Sequence, residues 1–108
     1  MEQQAFLEKN VFVGLKNLNE NFEKNHVHYF SAEDFEIVLQ KVEYFGIGVY
    51  TIEALSNGSS FGISDHEAHH KKATDPKWYK KAFLNFKNGE SGLLFSASYK
   101  VSNKLLAR

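Results

Sequence analysis

Residues 65 to 70 read Asp-His-Glu-Ala-His-His, and His66, Glu67 and His70 fall within them as H-E-x-x-H. Zinc proteases use that spacing on a helix, because positions i and i+4 lie one turn apart and both imidazoles reach the same ion while the glutamate activates water. Such chemistry also needs a third ligand and an open position on the metal. The longer form of the motif would require glycine at 73 and histidine at 76, where the chain has Ala73 and Pro76, and no histidine follows His70. Glu90 is a carboxylate twenty residues downstream, but it stands in the turn-forming stretch Asn88-Gly89-Glu90-Ser91-Gly92. Lys71 and Lys72 put two positive charges beside any dication bound here. We therefore expect His66, Glu67, His69 and His70, with Asp65 alongside, to form at best a weak site for zinc or another divalent metal, with no resident cofactor. His26 and His28 would join it only if the fold brought them near.

Locally, Ser64 can cap a short helix over Asp65 to Ala73, with Glu67 completing a capping box. The chain contains no cysteine, which removes disulfides, thiolate ligands and a cysteine nucleophile together. Gly89-Glu90-Ser91-Gly92 is not a nucleophile elbow, no phosphate-binding glycine loop is present, and Gly46-Ile47-Gly48 lacks a dinucleotide site's third glycine. No complete catalytic set is visible, and an enzyme is not expected.

A second constellation interleaves lysines with aromatics: Lys77-Trp78-Tyr79-Lys80-Lys81, preceded by Lys71-Lys72. That mixture can hold nucleic acid by phosphate contacts and base stacking, yet the only arginine is Arg108, so the bidentate contacts that carry most of such recognition are missing. Core aromatics with a solvated lysine face account for it better, and nucleic acid is not expected as a partner. Trp78 falls at the edge of the apolar face, where a partly exposed ring would serve as an interface anchor beside Lys77, Lys80 and Lys81. The thirteen acids and thirteen bases cancel overall but not locally. Five acids stand against Lys41 between Ser31 and Leu55, a balance of −4, and six lysines stand against Asp75 between Lys71 and Lys87, a balance of +5. The expected function is an interaction or regulatory module acting through a homodimer or a protein partner. The alternative is a metal-dependent or small-molecule site around the histidines.

The elements that position these residues follow from periodicity. Leu7, Val11, Leu15, Leu18 and Phe22 recur at three- and four-residue steps, which predicts a helix from about Glu2 to Lys24, with a strand over Val11 to Leu15 as the alternative. Ser31 and Asp34 mark the start of a second helix, Phe35, Val38, Leu39 and Val42 its buried stripe, and Gly46 its end. Gly46 to Leu55 reads as a central strand, and Asn57-Gly58 as a tight hairpin turn. Closing that turn without irregularity pairs Ser56 with Ser59, Ala54 with Phe61 and Ile52 with Ile63, placing Phe61 and Ile63 in the core. Asp75-Pro76 opens a third helix that Asn88-Gly89 ends, and alternation from Leu93 to Val101 gives a last strand, with a frayed turn after Ser102.

The order α-α-β-β-α-β predicts one α+β domain over residues 1–108: a three-stranded, mainly antiparallel sheet with the Gly46 strand central and helices packed on one face. With 43% hydrophobic residues, ten Phe, five Tyr and one Trp, the chain is too apolar to remain disordered. It shows neither a basic, apolar leader at Met1 nor a membrane-length apolar run, so a cytoplasmic location away from membranes is expected.

Overall fold

The second helix begins where the capping chemistry places it. In a computed structural model, which describes residues 2–19 and 27–107, the Ser31 hydroxyl accepts from the Asp34 amide at 3.2 Å and opens helix α2 (Ala32–Phe45). Gly46, at φ +68°, closes α2 in the left-handed region that a residue without Cβ enters freely. The other elements are α1 (Gln3–Asn10), β1 (Phe30–Ser31), β2 (Gly48–Ser56), β3 (Ser59–Asp65), α3 (Pro76–Gly89), β4 (Leu94–Lys100) and α4 (Asn103–Leu106). Asp75 caps α3 by accepting from the Lys77 amide at 2.9 Å, with Pro76 in the first turn. The stretch after Ser102 forms the single turn α4.

The fold is α+β, and the described residues form an antiparallel sheet of four strands in the order β1-β4-β2-β3, so the expected three strands gain a fourth. β2 lies between β3 and β4, as its two-sided apolar character requires, and β1 adds only the pairs Phe30 with Phe95 and Ser31 with Leu94. Beyond β1 the edge of β4 is met by a side chain. The Gln3 amide donates to the Tyr99 carbonyl and accepts from the Val101 amide, both at 2.9 Å, which ties α1 to the sheet.

Helices α2 and α3 share one face of the sheet. Phe35 of α2 stacks on Phe95 of β4 at 5.4 Å, Phe83 of α3 meets the same ring edge-on at 5.0 Å, and the three rings close a buried junction with Val38, Val42, Ile52 and Ala54. Phe6 of α1 packs edge-on against Phe45 at the end of α2. Among the described residues no helix is long and apolar enough to cross a membrane.

The structure corrects two further sequence expectations. The first helix stops at Asn10, well short of Lys24. Val11 and Phe12 still turn back to the Leu7 carbonyl, but Gly14 takes φ +78° and the chain then runs beside residues 27–29, with the Leu18 amide donating to the Tyr29 carbonyl at 2.7 Å. The alternative strand over Val11 to Leu15 does not form either, and Phe22 and Lys24 lie outside the described residues.

The second correction concerns the hairpin. It turns at Asn57-Gly58 with Ser56 opposite Ser59 as expected, but the ladder then passes from Leu55 with Ser60 to Ala54 with Gly62, leaving Phe61 as the extra residue of a bulge. Glu53 faces Ile63 and Ile52 faces Ser64 in consequence, and Phe61 and Ile63 are 44% and 62% exposed instead of in the core. The bulge seats Gly62 beneath the Phe86 ring of α3, where the missing side chain leaves it room: a Cβ there would stand 2.8 Å from Cε1 of Phe86.

Candidate functional site

The histidine stretch is one turn, not a helix to Ala73. Asp65, the last residue of β3, acts as its cap in place of Ser64, accepting from the Ala68 amide at 2.7 Å. The turn ends five residues on: the Lys71 amide donates to the His66 carbonyl and the His70 amide to the Glu67 carbonyl, with His70 at φ +55°. That pair of bonds around a left-handed residue is a Schellman closure. His66 and His70 therefore do not occupy successive turns of one helix.

Two of the imidazoles face inward. His66 Nδ1 donates to the Lys71 carbonyl at 2.8 Å, which fixes the tautomer, and His69 Nε2 lies 2.9 Å from the Ser64 hydroxyl. Both rings pack over Trp78, at 6.4 and 5.5 Å between centroids, and Tyr50 flanks His66 at 6.0 Å. Glu67 and His70 are exposed. Among the described residues no three His, Asp or Glu side chains are grouped to hold a metal ion. His28 stands elsewhere, stacked on Phe12 at 4.7 Å, and His26 lies outside the described residues.

This turn also corrects the expectation for Trp78. Its ring is 1% exposed, sealed by His66 and His69 from above and by the sheet from below, so it is a core residue and offers no anchor to a partner. Lys77, Lys80 and Lys81 are exposed as expected from their place on α3. Beside Trp78, Tyr79 is buried, and burial together with the carboxylates of Glu43 and Asp75 pushes its hydroxyl up to about 12.

The surface that gathers functional features is the outer side of the two helices. α2 and α3 run in opposite senses, Phe35 meeting Phe83 near the start of α2 and Glu43 meeting Lys80 at 2.5 Å near its end. Between them lies a groove of about 280 Å³ lined by Glu36, Leu39, Gln40, Lys80, Phe83 and Leu84. Leu39 and Phe83 form its floor. Leu84 on its wall is 51% exposed, and on the outward side of α2, opposite the stripe that Phe35, Val38, Leu39 and Val42 bury, Ile37 and Tyr44 are 38% and 83% exposed. One wall is acidic, since α2 carries Glu33, Asp34, Glu36 and Glu43 against Lys41. The other is basic, since α3 carries Lys77, Lys80, Lys81 and Lys87 and no acid, with the Lys87 ammonium 5.8 Å over the Phe83 ring.

Both charge runs were legible in the sequence. The exposed apolar residues were not: Ile37, Tyr44 and Leu84 sit outside the core stripes, and only the packing of one helix beside the other shows that they belong to one surface. No family model matches the chain, and no curated protein or solved structure matches it either.

Proposed function

We propose that the protein is an interaction module whose docking surface is the outer face of α2 and α3. One observation carries this reading: three large apolar side chains, Ile37, Tyr44 and Leu84, stand exposed on two neighbouring helices of opposite charge that enclose an apolar-floored groove. Exposed aromatic and aliphatic residues gain by leaving water, and rows of charge beside them select orientation and partner. The Glu43–Lys80 pair does not remove this potential, because both side chains are about half exposed and a surface pair of that kind is worth no more than about 1 kcal/mol. A protein surface with complementary charges is the class of ligand that fits.

The test is photo-crosslinking in cells from a benzophenone amino acid placed at Tyr44, with the same group at Ile63, on the side of the sheet away from α2 and α3, as the control. The expected result is a discrete protein adduct from position 44 that Leu84→Glu abolishes, with none from position 63. Adducts from position 63 alone, or no adduct from either, would remove the α2/α3 face as the docking surface.

A further inference from the structure

We infer that the occupant of this face is a second copy of the same chain, packed about a twofold axis that runs along the groove between α2 and α3. This inference rests on the docking reading above and adds the partner and the geometry to it.

Symmetry and charge together select the arrangement. When two copies meet face to face through two antiparallel helices, the twofold axis lies either across the helices or along the groove between them. An axis across the helices lays α2 on the partner's α2 and α3 on the partner's α3. Acids then meet acids and lysines meet lysines, with a balance of −3 on each α2 and +4 on each α3. An axis along the groove lays α2 on the partner's α3 twice over. Glu36 and Glu43 of one copy then approach Lys80 and Lys87 of the other, so that the net charges of facing helices are opposite.

The exposed apolar residues agree with the same axis. Glu36 and Leu84 both line the groove beside the contacting pair Phe35 and Phe83, so rotation about the groove keeps that level and brings Ile37, next to Glu36, towards Leu84 of the partner. Tyr44, next to the Glu43–Lys80 pair, comes over the lysines of the partner's α3, where an aromatic face attracts a cation. Self-complementarity of this kind is what an isologous dimer requires and what an unrelated partner has no reason to match.

The size of the face limits the affinity. Two helices of fourteen residues are each about 21 Å long, and side by side they present a face of about 20 by 20 Å, at the small end of specific interfaces. The dimer is therefore weak and reversible, and it weakens with salt because unlike charges hold it; an axis across the helices would give the opposite salt dependence.

Charge-reversal complementation tests this on the full chain. One variant carries Glu36→Lys and Glu43→Lys, the other Lys80→Glu and Lys87→Glu; all four positions are exposed, and circular dichroism checks that both variants fold. In light scattering at low salt, wild type is expected to move from 12.4 kDa towards twice that mass as concentration rises, with the dissociation constant at least tenfold weaker at high salt. Each variant alone is expected to stay monomeric, and their equimolar mixture to regain the dimer. A wild type that remains monomeric to millimolar concentration, a dimer that salt strengthens, or a mixture that stays monomeric overturns the second copy as occupant. If position 44 still crosslinks to a different protein in cells, the docking reading survives that failure; if it crosslinks to nothing, both fall.

Discussion

Gly62 and His70 carry more structural information than their neighbours, since each marks a place where the backbone departs from the regular pattern. Gly62→Ala inserts a methyl group at 2.8 Å from the Phe86 ring and is expected to cost about 1 to 3 kcal/mol in urea unfolding. Phe86→Leu should recover part of that loss in the double variant, because the shorter side chain vacates the contested space. His70→Gly is expected to raise stability by up to about 1 kcal/mol, since glycine enters φ +55° without the strain a Cβ brings. His28 gives the fold a pH dependence. Burial holds its imidazole below the ordinary 6.5, with Glu8, 3.9 Å away, pulling the other way. As pH falls through 6.5 the unfolded chain takes up this proton before the folded one does, so stability drops just below 6.5. A thermal melt series across that window should flatten in His28→Gln, and an unchanged slope would assign the dependence elsewhere.

At the scale of elements, local signals located α2, α3, β2 and β4 because each has a cap, a turn or an unbroken period that needs no tertiary partner to be recognised. Ser31, Gly46, Asp75 and Pro76 all perform the roles their types suggest. The failures share one cause, a contact from a distant segment that overrides a local pattern. The first helix kept its apolar spacing past Asn10, yet the chain turns at Gly14 to lie along residues 27–29. The hairpin kept its alternation, yet a bulge at Phe61 seats Gly62 beneath Phe86 of α3. Glycine within each misread stretch was the available hint, since glycine inside a strand or helix pattern often marks a bend. The bulged register gives a direct check. Ile52→Ala, at a wholly buried position, is expected to cost about 2 to 5 kcal/mol, and Ile63→Ala, at a position 62% exposed, less than about 0.5 kcal/mol. Equal losses at the two positions would restore the regular register.

Across the whole molecule, the histidine motif that first drew attention turned out to be a closed turn lying over Trp78, while the surface with unsatisfied potential lies on the helices. A linear pattern of chemically able residues says nothing about whether one helix carries them, and here a left-handed His70 separates them. Charge patterning survived better, because a solvated row of lysines or acids needs only its own helix to be displayed. What the sequence could not supply was adjacency: that the acidic and basic helices border one groove, and that Ile37, Tyr44 and Leu84 stand exposed on the same two helices. The account stands on that face being the one that associates. Methyl resonances of Ile37 and Leu84, followed as purified protein is concentrated from micromolar to millimolar at low salt, report on it directly, with Ile63 on the opposite side of the sheet as reference. The expected result is progressive shifts at Ile37 and Leu84, reversed by added salt, while Ile63 stays in place. Shifts at Ile63 with Ile37 and Leu84 unmoved would contradict the account and send the search for the working surface to the other side of the sheet.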